Sequence, residues 1–271
     1  MRLLLVIVSV VIGAIISASG FASDSEWQQH NDMLRTRIIT ASDNTESDQV
    51  LVAWEADLAP GWKTYWRSPG EAGLPVRVRV GDSEKEIQYP LPERFELFGL
   101  TTYGYKDRIL LPFFVSRSEL NEGLVVDASF MVCKDICVPF DSHYEINDEL
   151  SSLSIHDGRI KSWMDKVPSK NDKAGLKINN VRITGKIGHQ RLVVDVEADQ
   201  ALSKADLLAE GTGPYEFGVP SVKLVSDGTK ARFVLPIMTM NKSLDIKGET
   251  LRFTLSDGKG NAIDRTVDTS S

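Results

Sequence analysis

The chain has 271 residues, of which 42% are hydrophobic, enough to bury one large core or two ordinary ones. Its net charge is −7 and no basic cluster interrupts it, which argues against nucleic acid as a partner. Two cysteines are too few for a disulfide-stapled secreted scaffold, so stability must come from packing.

Met1-Arg2 opens the chain, followed by an apolar run from Leu3 to Ile16 and by small residues up to Ala22. That order of charge, apolar segment and small-residue cleavage site predicts a cleaved signal peptide over 1–22. The apolar run, about 14 residues, is shorter than the roughly 17–25 that an uncleaved membrane anchor needs. The expectation is an exported, soluble mature chain.

Strand signals then dominate. Val50 to Ala56 is a β-rich run, and Val76 to Val80 alternates valine with arginine before Gly81-Asp82. Arg108 to Val115, Leu124 to Val132 and Val138 to Ile146 read as further strands. Short strands punctuated by Pro and Gly predict an all-β sandwich of antiparallel sheets over 23–150. From Glu149 to Val167, the spacing of Leu150, Leu153, Ile160, Trp163 and Val167 predicts a helix stopped by Pro168. With the polar run Ser169 to Lys173, it forms a helical linker over 151–173. Strands resume at 176–183, 192–198, 222–225, 232–235, 251–255 and 262–267. Asp227-Gly228 and Asp257-Gly258 supply hairpin turns. A second, smaller β domain is therefore expected over 174–271.

The chemistry centres on Cys133-Lys134-Asp135-Ile136-Cys137. β-branched flanks and Pro139 disfavour a helix here, so the picture is two strand ends joined by a three-residue turn. Facing cysteines across such a turn fall within disulfide reach. A ring of about five residues stabilises a fold by roughly 2 kcal/mol before any strain, and a staple would more usefully join distant segments. Three readings stay open: redox exchange, a structural bridge, or a metal site. For the last, Met131, Cys133, Cys137 and His143 form a soft set suited to copper(I). His30, His156 and His189 are scattered and add no cluster. Lys134 favours a thiolate and Asp135 opposes it, so the sequence leaves the attacking sulfur open.

Several ordered segments match a known family. Gly61-Trp62-Lys63-Thr64-Tyr65-Trp66, Arg67 to Pro75, Glu96-Leu97-Phe98-Gly99, Tyr105 to Pro112 and Cys133…Cys137-Val138-Pro139 resemble the amino-terminal periplasmic domain of the DsbD family, in particular its ScsB-type branch. The resemblance implies an immunoglobulin-like sandwich that relays electrons by thiol–disulfide exchange and needs no cofactor. It implies Cys133 and Cys137 as the redox pair and a cap formed by Phe95, Glu96, Leu97 and Phe98. Trp62, Tyr65 and Trp66 become candidate site walls. The implied partners are a membrane-embedded electron donor on a separate chain and oxidised periplasmic acceptors, in cytochrome maturation, disulfide reduction or copper-stress defence. The pattern departs from the family in its shorter cysteine spacing and in having Phe95 where an acidic residue starts the cap. The sequence also lacks the family's multi-span and thioredoxin-like domains.

Overall fold

Residues that alternate between apolar and polar pair into flat ladders, and two such ladders facing each other bury their apolar sides. The computed structural model describes residues 23–120, 123–147 and 150–269; the predicted signal peptide lies outside them. In chain order the first half contains β1 (Gln28–His30), β2 (Leu34–Thr40), β3 (Gln49–Leu58), β4 (Lys63–Gly70), β5 (Arg77–Val80) and β6 (Ser83–Glu84). It continues with β7 (Glu93–Leu97), β8 (Leu100–Lys106), β9 (Arg108–Ser116), β10 (Leu124–Cys133) and β11 (Cys137–Ile146). One sheet has the order β1-β2-β3-β9; the other runs β6-β5-β10-β4-β8-β7, with β11 pairing along β10. The architecture is the expected immunoglobulin-like β-sandwich.

Between the sheets, Trp54, Trp66, Phe113, Phe130 and Tyr144 form the bulk of the core. A polar bridge crosses it: the Trp54 indole N–H donates to the Tyr144 hydroxyl at 3.1 Å, which in turn meets the Thr36 hydroxyl at 2.5 Å. The run Arg108 to Ser116 does not alternate, because this sheet is covered on both faces. Ile109, Leu111, Phe113 and Val115 enter the core, while Leu110 joins Ile39 and Ala53 beneath the helix α1 (Asp157–Met164), through Ile160. Glu55, fully buried on that outer face, is paired by Arg37 at 2.9 Å and by Arg159 of α1, so the helix is held by charge as well as packing.

The helix is shorter than its sequence pattern predicts. Serines upstream compete for backbone groups: the Ser151 hydroxyl accepts from the Leu153 N–H, and the Ser154 hydroxyl donates to the Thr40 carbonyl. Residues before Asp157 are thus tied to β2 and its following loop, and Leu153 is exposed. Eight strands escaped sequence reading: β1, β2, β4, β6, β7, β8, and in the second half β14 (Asp206–Glu210) and β15 (Glu216–Phe217). β2 and β4 mix apolar with charged or glycine residues, and β14 has the composition of a helix.

The second half adds β12 (Lys177–Thr184), β13 (Arg191–Glu197), β14, β15 (Glu216–Phe217), β16 (Ser221–Val225), β17 (Lys230–Met238), β18 (Thr250–Ser256) and β19 (Ala262–Asp268). Its sheets are β12-β13-β17-β15, with β16 on β17, and β14-β18-β19. Phe233, Phe253, Leu192 and Leu251 fill a separate core. At the predicted Asp257-Gly258 turn, the Asp257 carboxylate accepts from the Lys259 and Asn261 N–H groups at 2.7 and 3.0 Å.

Because Tyr144 is the acceptor for the buried Trp54 N–H, Tyr144→Phe is expected to lower unfolding free energy by about 1–3 kcal/mol in urea melts. A variant as stable as the parent contradicts the polar bridge.

Candidate redox site

β10 and β11 form an uninterrupted hairpin whose register runs from Leu124↔Ile146 to Cys133↔Cys137. The last pair of the ladder is therefore the cysteine pair, closed by Lys134-Asp135-Ile136 as the sequence predicts. The two cysteines are bonded, with Cα atoms 4.1 Å apart. Period-two alternation decides where Cys133 points. Val126, Ala128, Phe130 and Val132 enter the sandwich core, so Val125, Asp127, Ser129, Met131 and Cys133 occupy the opposite, outer face. On that face Val125, Asp127 and Ser129 are exposed, yet Cys133 is 0% exposed.

A local cover explains the difference. Tyr65 and Leu97 pack on Cys133, with Met131 at their flank. Tyr65 follows from β4, whose Lys63 and Thr64 pair with Cys133 and Val132; Lys63 and Tyr65 share the cysteine face, and Thr64 and Trp66 do not. Leu97 ends β7, and Leu97↔Leu100 closes a tight hairpin through Phe98-Gly99. Both turn residues have positive φ, 54° and 77°. Two positive φ values suit this turn type, but a bulky aromatic at the first is unusual there. Phe98 is 67% exposed, so little packing compensates for that conformation.

Cys137, in contrast, is exposed. The Tyr65 hydroxyl sits 4.0 Å from its Sγ. Burial pushes the Tyr65 phenol above its ordinary pKa, so at neutral pH it keeps the proton needed to donate toward sulfur. Glycine is required behind the ring. A Cβ on Gly73, at φ +107°, would lie 2.3 Å from Tyr65 Cε1.

The candidate residues separate clearly. Of the four cap residues only Leu97 covers Cys133. Phe95 is half-buried against Lys63, whose ammonium lies 4.7 Å from its ring centroid, and Glu96 and Phe98 face outward. Tyr65 walls the site, whereas Trp66 is a core residue under Arg67 and Trp62 packs at the edge of the main core. Met131 belongs to the cluster; His143 does not. It pairs with Asp127 six positions along the ladder from the cysteines, about 20 Å at strand rise. Hydrogen bonds to Asp127 and then Glu145 raise its pKa, favouring the imidazolium, which cannot ligate a metal. Among the described residues no group of three or more His, Cys, Asp or Glu side chains is arranged to hold a metal. The copper set is thus not assembled. Sequence reasoning missed Gly73 and Lys63 as site residues, although both stand in the aromatic-rich segment.

Residues 33–149 match the family model described as thiol:disulfide interchange protein DsbD, N-terminal. This segment is a DsbD-type N-terminal domain. Residues 166–271 match a domain of unknown function (DUF8393). The crystal structure of the N-terminal periplasmic domain of ScsB from Proteus mirabilis is similar in fold across both halves. Its TM-score is 0.76 at 22% identity, covering 91% of this chain and 99% of that one. No curated protein matches the chain. In the DsbD-type domain, then, the bonded cysteines end a rigid hairpin, one covered and one open.

If Leu97 and Tyr65 are the cover, Leu97→Ala and Gly73→Ala should each speed reduction of the bridge by dithiothreitol, followed by thiol labelling. Rates equal to the parent's contradict the assignment.

Proposed function

We propose that the chain is a periplasmic thiol–disulfide interchange protein that relays reducing equivalents through Cys133 and Cys137. The observation that carries this reading is the asymmetry of the pair, with Cys137 open to solvent and Cys133 sealed beneath Leu97 and Tyr65. Thiol exchange needs one sulfur within reach of an incoming thiolate and a second that leaves without being lost to side reactions.

A donor thiolate attacks Cys137 Sγ. The bond between the two cysteines breaks and its electron pair moves to Cys133 Sγ. A second donor thiolate then displaces Cys137 from the mixed disulfide, leaving the donor oxidised and the pair as a dithiol after uptake of two protons. In delivery the Cys137 thiolate attacks an acceptor disulfide. Cys133 then attacks Cys137 Sγ, which releases the acceptor as a dithiol and restores the bridge. The Tyr65 hydroxyl is placed to donate to a thiolate on Cys137, and Lys63, the cross-strand partner of Cys133, brings a cation to the face where the other thiolate forms.

The donor in this scheme is a membrane-embedded protein on a separate chain, and the acceptors are oxidised periplasmic proteins. Docking lifts the cap hairpin, with the exposed Phe98 ring as the handle. A purely structural bridge fits less well, since the ladder already fixes this turn and the small ring adds only about 2 kcal/mol.

Single-cysteine variants test the roles. Cys133→Ser, which leaves Cys137, should form a mixed disulfide with glutathione disulfide readily. Cys137→Ser, which leaves Cys133 under the cap, should do so about tenfold more slowly or less. Neither variant should reduce a disulfide-bonded protein catalytically, and both should keep the folded circular dichroism spectrum. Faster glutathionylation at Cys133 reverses the assigned roles, and unimpaired catalysis by either variant removes the mechanism.

A further inference from the structure

The cap hairpin is secured on one side only. β8 joins β4 through Lys63↔Lys106, Thr64↔Tyr105 and Tyr65↔Gly104, but β7 ends the sheet and, among the described residues, pairs only with β8. A free edge three strands from the cysteine strand needs another hold if Leu97 is to stay on Cys133. That hold comes from the second half of the chain.

Strand β14 divides its side chains by alternation. Leu207 and Ala209 turn into the C-terminal core. Asp206, Leu208 and Glu210 turn the other way, toward the DsbD-type domain, and each finds a partner there. Leu208 joins that domain's main core, 6% exposed. Glu210 takes Arg67, whose Nε donates at 2.9 Å, while the same guanidinium reaches Thr254 Oγ1 at 2.8 Å and Asp264 at 3.3 Å. Arg67 follows Tyr65 by two positions, in the stretch where the β4–β8 register slips and the strand is freed to aim outward.

The third contact reaches the cap itself. Asp206 accepts from the Arg94 guanidinium at 3.0 Å, and Arg94 is a β7 residue. Directly across the hairpin stands Tyr103, with Arg94 5.5 Å from its ring centroid. Pulling Arg94 toward β14 therefore pulls both cap strands, three residues before Leu97. Arg94 Nε is buried without a hydrogen-bond partner, so the guanidinium is held by Asp206 on β14 and by Tyr103 across the hairpin.

We propose that Asp206, acting through Arg94, is a positioning residue for the exchange: β14 clamps the free edge of the cap hairpin and sets how often Leu97 leaves Cys133. This rests on the interchange reading above and gives the C-terminal half a role in it. A partner that engages the C-terminal sandwich and loosens this clamp would open the cap at a distance from the sulfurs.

The test uses the full chain carrying Cys137→Ser, reduced, with alkylation of Cys133 by iodoacetamide as the readout. Adding Asp206→Asn should raise the alkylation rate about two- to fivefold, as expected for a partly exposed ion pair. The charge swap Asp206→Arg with Arg94→Asp should return the rate toward the parent. Leu207→Ala, on the same strand but facing its own core, should leave the rate unchanged. An Asp206→Asn rate equal to the parent's, or equal acceleration by Leu207→Ala, overturns the proposal. Because a small reagent reports cap opening, the result is independent of whether any protein exchanges disulfides with the pair. Failure of the clamp and failure of the interchange reading are thus told apart.

Discussion

The orientation of Cys133 constrains everything else about this molecule. A β-hairpin that feeds its even-numbered residues into a sandwich core has no choice but to send Cys133 to the outside. That face is otherwise wet, with Asp127 and Ser129 exposed on the same strand. Burial of the sulfur is therefore imposed by side chains of two other strands, Tyr65 of β4 and Leu97 of β7, and not by the sandwich core. Covering a leucine is worth about 1.5–3 kcal/mol. That is enough to keep the site closed in most molecules and small enough for a docking protein to reverse.

Rigidity and mobility are divided accordingly. The cysteines end a ten-pair ladder between β10 and β11, so the sulfurs do not move relative to the sandwich. The Leu97 part of the cover lies on an edge hairpin whose tip carries an exposed aromatic at positive φ. An aromatic side chain held in the left-handed region without packing is a local cost that a purely structural turn, with Asn-Gly, would avoid. At Phe98 that cost falls on the turn next to Leu97, the residue that covers Cys133.

Much of this was legible in the sequence. Alternation in Val76 to Val80, strand-like runs such as Leu124 to Val132 and the three-residue spacing of the cysteines point to the sandwich and the hairpin, whereas the cap region follows only from the family resemblance. The faces of the aromatics were not legible, because Tyr65 and Trp66 are neighbours and only the register Lys63↔Cys133 tells which one meets the sulfur. The overlong helix arose because leucines at helical spacing look the same whether or not nearby serines capture the backbone. β14 stayed hidden because Asp206 to Glu210 have helical propensity, and pairing with β18 overrides it. His143 entered a candidate metal set by chemistry alone, and ladder geometry removed it.

That the cover over Cys133 can be removed is the central claim of this account, and native-state hydrogen exchange of the oxidised chain tests it most directly. Amides of β7 and β8 should exchange through a local opening at lower free energy than those of β3 and β9, with little dependence on added denaturant. If the hairpin's amides exchange only when the whole sandwich unfolds, the cover over Cys133 is fixed by the fold itself and a removable cap is contradicted.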